Sequence, residues 1–427
     1  MHSCFVPGEI LLPDENISAA QWACLACDQF TSQPAYWAEA AGLRKGKPST
    51  LDLVLPELYL GTPEQADYIA SIHADMERYA AEVLTRTVHG FVYVERTMSN
   101  GRVRQGLVGC VDLEDYDYTP GAKPLVRPTE NTVVERIPPR LAVRRDALLE
   151  TPHIMMLADD PADTLLGPVA AAKEQLPCVY GGELFQGSGF LRGWAVEDPA
   201  LVQGIVEAMA RLGSQEEFDR RYPACAGQPP LALAVGDGNH SLATAKAHWE
   251  SIKPTLSEAE RKTHPARWCL AEVCNLHSPA IQMEAIHRVV FGAPAASLLL
   301  AAVEFCDQEG IEITNRRPQY EYHVLTARKQ IKVGLRHCKS PLAVGVLEAM
   351  LGEYLAGHKE ATVDYIHGES EVRRLAAEGN IGILLPEFQK DGLFPGVVQG
   401  GVLPKKTFSI GHAEEKRCYF ECRRIRP

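Results

Sequence analysis

The 427-residue chain lacks any apolar run near the 18 residues a membrane helix requires, so a membrane span is not expected. Its start carries neither the basic end nor the apolar stretch of a secretory leader, and the expectation is a cytoplasmic protein. Basic residues are outnumbered, 43 against 55, giving a formal charge of −12 and a pI near 5.7. An acidic surface repels polyanions, which argues against nucleic acid or a membrane surface as partner and leaves room for a small basic pocket. The catalytic signatures G-x-x-x-x-G-K-[ST], H-E-x-x-H and G-x-S-x-G are absent. Twelve cysteines include one Cys-x-x-Cys, Cys24 and Cys27, with no second pair at zinc-finger spacing. They read as reduced thiols, the first pair within a small-residue helix.

What is present is ordinary globular composition, 46% hydrophobic and 23% charged, with 34 glycines and 29 prolines. Tyr68, Ile69, Ile72, Met76, Tyr79 and Val83 recur at helical spacing, predicting a helix over Glu64–Leu84 that starts at Thr62-Pro63. Phe91–Arg96 and Val103–Leu113 flank Ser99-Asn100-Gly101, a hairpin signal. Glu114–Arg140 reads as a long loop. Strands at 154–157, 230–235 and 268–273 alternate with helices at 162–175, 201–212 and 241–249, implying an α/β core. A smaller α+β lobe follows, closed by a strand at Tyr419–Ile425. The expected division is 1–292 for the main domain and 293–427 for the lobe.

Four clusters carry possible chemistry. In Gly236-Asp237-Gly238-Asn239-His240-Ser241 an apolar strand enters a glycine-flanked turn and opens a helix. Bare amides at such a turn suit phosphate, Asp237 could hold Mg²⁺ or orient a hydroxyl, and His240 could move a proton. A purely structural reading has Asp237 starting a turn and Asn239 capping the helix. In the second cluster Arg127, Arg136 and Arg140 alternate with Thr129, Glu130 and Glu135, joining phosphate-binding forks to a candidate general base, with Pro138 and Pro139 stiffening the loop. Third come His287 and Arg288, and fourth Lys405 and Lys406.

Six ordered motifs together resemble the bacterial family catalogued as domain of unknown function 1015. They are Cys27–Pro34, Val94–Thr97, Arg127–Glu130, Gly236–Ser241, Ile286–Arg288 and Pro404–Thr407. The family's central turn, Asp-Gly-His-His-Arg, is similar to the phosphate turn of the ParB/sulfiredoxin-like superfamily, which includes a free-serine kinase. Here Asn239 and Ser241 stand for His and Arg, and Thr129-Glu130-Asn131-Thr132 keeps a related element's glutamate without its histidine. The resemblance implies a ParB/sulfiredoxin-like mixed sheet and a role in serine metabolism, as a kinase or in the reverse step on phosphoserine.

The leading expectation is therefore a phosphotransferase acting on a small hydroxyl metabolite, with ATP or ADP and Mg²⁺. Glu130, Asp237 and His240 are its catalytic candidates. Arg127, Thr129, Arg136, Arg140, Gly238, Asn239, Ser241, His287, Arg288 and Lys406 are its binding candidates. The alternatives are a metal-assisted hydrolase using Asp237, His240 and His287, and a non-catalytic nucleotide-binding regulator.

Overall fold

The computed structural model describes residues 2–30, 33–404, 406–411 and 415–427. Thr31, Ser32 and Lys405 of the sequence motifs lie outside these residues. The chain forms two compact units, one of residues 1–281 with 411–427 and the other of 282–410. The expected division at 292 differs from this at both ends. The chain enters the second unit before His287–Phe291, which is a strand of that unit's own sheet. The last residues supply short strands, Cys418–Tyr419 and Arg423–Arg424, that pair with Cys24–Leu25 and Leu149–Glu150 of the first unit. The expected closing strand at Tyr419–Ile425 is thus split, and neither piece belongs to the C-terminal lobe.

The first unit is built on a mixed sheet of ten strands: β1 (Phe5–Val6), β2 (Gly8–Leu12), β3 (Arg86–Thr97), β4 (Val103–Asp112), β5 (Val126–Pro128), β6 (Met155–Ala158), β7 (Cys178–Glu183), β8 (Phe190–Val196), β9 (Leu233–Asp237) and β10 (Trp268–Asn275). Their order is β5-β9-β6-β10-β4-β3-β8-β7, with β1 on β4 and β2 on β3. β5–β9 and β6–β10 are parallel, and the other pairs are antiparallel. The fold class is therefore mixed α/β. β3 and β4 form the expected hairpin, with Thr97 opposite Val103 and Gly101 at φ +81°. The apolar central strands bury one face against Leu242 and Trp249, and the other against Trp22, Ile72, Met76 and Tyr79.

Four helices of this unit are α1 (Gln65–Glu82), α2 (Ile137–Arg145), α3 (Pro199–Leu212) and α4 (Asn239–Ile252). α1 buries Ile72, Met76 and Tyr79 as its spacing predicts, but it starts after Glu64 with no side-chain cap, so Thr62 is not its N-cap. The long loop proves partly ordered. Thr129 and its neighbours follow strand β5, and Pro138 and Pro139 open α2, where missing amide hydrogens cost nothing. The helix expected at 162–175 shrinks to Gly167–Ala172 with a 3₁₀ turn. The Asp160 carboxylate draws Thr164 Oγ1 and the Leu165 amide into a turn instead. The helix expected through Cys24 and Cys27 ends at Trp22, because Cys24–Leu25 join Cys418–Tyr419 as a strand pair. All twelve cysteines are free thiols.

The second unit holds an antiparallel six-stranded sheet in the order Glu312–Ile313, Gln330–Arg336, Tyr320–Leu325, Ile381–Leu384, His287–Phe291, Thr362–Ile366. Helices Ala295–Glu309, Ala343–Gly357 and Glu369–Ala377 accompany it, matching the predicted α+β character. Among the described residues, no helix is long and apolar enough to cross a membrane.

Candidate functional site

The site forms where β9 becomes α4. Pairing of β9 with β6 shifts register between Val235 and Asp237, so Gly236 occupies an irregularity that re-aims the end of the strand. Gly238 follows at φ +81°, and a Cβ there would lie 3.0 Å from the Ile154 Cα. Only glycine meets both demands. Gly238 is also the N-cap, and no side chain caps α4. Asn239 is already inside the helix, and its buried Oδ1 has no hydrogen-bond partner. The capping role assigned to Asn239 by the structural reading is therefore absent. Residues 239–241 begin a 14-residue helix, where amides lack intrahelical acceptors and the dipole favours an anion.

The second cluster converges on this turn. β5 runs parallel to β9 with Pro128 opposite Val235, and Thr129 Oγ1 donates to the Val235 carbonyl at 2.7 Å. Further on, the Val133 amide donates to His240 Nε2 at 3.3 Å. A main-chain donor on Nε2 requires a lone pair there, which places the ring proton on Nδ1. Burial, with Arg140 and Arg136 adding repulsion against an opposing Asp28, lowers the His240 pKa to about 4. The imidazole is neutral at pH 7 and acts as a hydrogen-bonding group, with no cation to offer a phosphate. Glu130 is half-buried between these two contacts.

Asp237 accepts the Gly238 amide at 2.9 Å through Oδ1, while Oδ2 lies 3.4 Å from Lys416 Nζ. Lys416 also helps hold Asp28 below the usual carboxylate range. Burial pushes Asp28 up most strongly, but His153, a Gln29 hydrogen bond and Lys416 overcome it. His153 Nε2 stands 3.9 Å from Asp28. Beside Asp28, Tyr419 donates to Cys27 Sγ at 2.8 Å and accepts the Cys27 amide at 3.1 Å. Burial first and Asp28 second push the Cys27 thiol up to about 12, so it is not a thiolate nucleophile. A cavity of about 150 Å³ adjoins the turn, with Ser241, Thr244, Arg140, His153, Cys27 and Tyr419 among its polar walls and Leu53, Leu55, Met76 and Leu149 among its apolar ones.

The remaining candidates differ in how far their polar atoms are already engaged. Arg127 is 2% exposed, and its Nε and Nη2 donate to carbonyls of Lys123, Pro124, Pro229 and Pro230, closing its own loop. Burial lowers its pKa to about 10. Arg140 pairs with Glu57 and donates to the Arg136 carbonyl, while Arg136 is exposed. In the second unit Arg288 is fully buried, bound to Glu348 at 2.6 Å and to the carbonyls of Ile286 and Lys406. His287 Nδ1 accepts the Leu385 amide, and Lys406 is exposed at φ +55°. Asp237 and His240 belong to the first unit and His287 to the second. Among the described residues no three His, Cys, Asp or Glu side chains gather into a metal-holding group.

Sequence reasoning missed Asp28, His153, Lys416 and Tyr419. Asp28 stood inside a quoted motif and was readable. Lys416 sits in a charged stretch with nothing to distinguish it from its neighbours.

The model of the family described as protein of unknown function DUF1015 matches residues 10–350, which leaves the Pro404–Thr407 motif beyond the matched stretch. None of the curated proteins matches the chain. Among solved structures, a mutant free serine kinase in complex with AMP is similar at 11% identity and TM-score 0.30, over 49% of this chain and 84% of that one. A mutant free serine kinase in complex with ADP gives 10% and 0.30, over 51% and 85%. C-terminally truncated SbnI from Staphylococcus aureus gives 14% and 0.28, over 49% and 78%.

Proposed function

We propose that this chain, which belongs to the DUF1015 family, is a phosphotransferase acting on a small hydroxyl metabolite. The observation that carries the reading is the uncapped start of α4 opening beside a cavity, with Lys416 3.4 Å from Asp237 at the same turn. Phosphoryl transfer asks mainly for charge stabilisation and a positioned base, and less for covalent chemistry. The amides of 239–241 would cradle the phosphate, with Lys416, Arg136 and Arg140 offsetting its charge. Lys416 restores a cation where Ser241 offers none. Glu130 would take the hydroxyl proton as the substrate oxygen attacks phosphorus and the bond to the departing nucleotide oxygen breaks. His240 would hold the 129–136 loop through Val133 and present Nδ1–H. Arg127, His287 and Arg288 are left out, because their polar atoms already serve main-chain or sheet bonds.

Mg²⁺ normally keeps one or two carboxylates together with substrate phosphates, so Asp237 would be the protein ligand of a phosphate-borne ion. When bound, the ion would supply further positive charge to the phosphates. Serine and phosphoserine with ADP or ATP are the first compounds to test. Glu130→Gln should slow transfer about 100-fold or more, as expected for loss of a general base. Transfer at an unchanged rate in both Glu130→Gln and His240→Ala would overturn the assignment. Tight nucleotide binding with no turnover of any hydroxyl acceptor would replace it with the regulator reading.

A further inference from the structure

A second hollow, of about 430 Å³, lies within the first unit and holds none of the catalytic or binding candidates named above. One wall is Arg44, Lys45, Gly46 and Lys47, where Gly46 turns the chain at φ +74° as it leaves the helix Pro34–Arg44. The same lining includes Tyr59 and Tyr68, stacked 4.5 Å apart at 25°. We propose that this hollow is a second ligand site, for a small anion that carries a planar ring.

Charge comes first. Four basic and two acidic side chains line the hollow in a protein of net charge −12. Both acids are already engaged: Asp75 pairs with Arg78, and Asp52 accepts the Tyr79 hydroxyl. Lys45 and Lys47 are exposed and have no ion-pair partner among the described residues. The hollow therefore keeps an uncompensated positive potential that an anion would neutralise.

The aromatic pair is the second, independent sign. Basic residues at a helix C-terminus also offset the dipole, but that role requires no aromatic pair beside them. The stacked tyrosines offer a face on which a flat ring can lie, with Tyr68 39% exposed.

The test is calorimetric titration of the whole protein with phenyl phosphate, inorganic phosphate and benzyl alcohol. Phenyl phosphate should bind more tightly than either simpler probe. Lys45→Ala/Lys47→Ala should weaken it about tenfold or more, since both lysines are exposed and their loss spares the core. Tyr68→Ala should weaken phenyl phosphate and leave inorganic phosphate unchanged. Lys416→Met, which removes charge from the other site, should leave this binding intact. The proposal is overturned if phenyl phosphate does not bind, if the lysine and tyrosine variants bind it like the wild type, or if Lys416→Met alone abolishes it.

Discussion

Lys416 and Arg417 are neighbours in sequence and opposites in role. Arg417 is buried, with Nε 2.8 Å from Glu272, Nη2 2.7 Å from Glu421 and Nη1 donating to the Pro152 carbonyl. Arg104 stands 3.6 Å from Glu272, and Tyr180 donates to Glu421. Every charge in this network has several partners. Among the described residues Lys416 makes one ion pair, a longer one of 3.4 Å to Asp237, and also draws on the Asp28 charge, at a half-open turn beside a cavity. A saturated buried charge holds the chain, whereas an ammonium held only by a long contact keeps donors to spare. The first fixes the backbone from which the second reaches, since Arg96 and Arg104 also grip the carbonyls of 415 and 416.

The sharpest way to break this contrast is Arg417→Met, which leaves Glu272 with Arg104 alone and Glu421 with only the Tyr180 hydroxyl. It should cost about 3–5 kcal/mol in urea denaturation, the range for an uncompensated buried charge. A loss below about 1 kcal/mol would show the network to be dispensable. Gly238→Ala should come next, at about 1–2 kcal/mol for the positive φ and the approach to Ile154. The same variant should weaken phosphate binding, because the amides of 239–241 would be re-aimed.

Acid should separate the two regions more gently. His240 and His248 both have pKa values lowered to about 4, chiefly by burial, from an ordinary 6.5. Below 6.5 the unfolded chain takes up protons that the folded one refuses. Stability is therefore full above pH 6.5 and declines as pH falls towards 4. His248→Gln, at a buried site away from the turn, should flatten that decline in denaturation curves measured across this window. The smallest effect on stability belongs to Lys416→Met, about 1 kcal/mol or less by thermal unfolding. Its phosphate affinity should nevertheless fall about tenfold, and Lys416→Arg should restore most of it.

The turn at 236–241 was legible because its cause is local: a buried strand, a glycine that must adopt positive φ, and a helix start. The β3–β4 hairpin and α1 were legible for similar reasons, through turn chemistry and apolar spacing. Arg127 misled because a guanidinium that binds main-chain carbonyls and one that binds phosphate have the same sequence signature. The cysteine helix misled because Ala-rich propensity is weak beside a strand partner from the other end of the chain.

By itself, the order of residues determined the mixed α/β class and the glycine turn between a strand and a helix, since both follow from neighbours along the chain, and its ordered motifs marked the family. Only the folded chain decided which charges are structural and which stand at the site. That choice depends on burial and on partners far apart in sequence, such as Lys416 with Asp237 and Tyr419 with Cys27. A charge draws its meaning from the dielectric and the donors around it, and those are assembled in space.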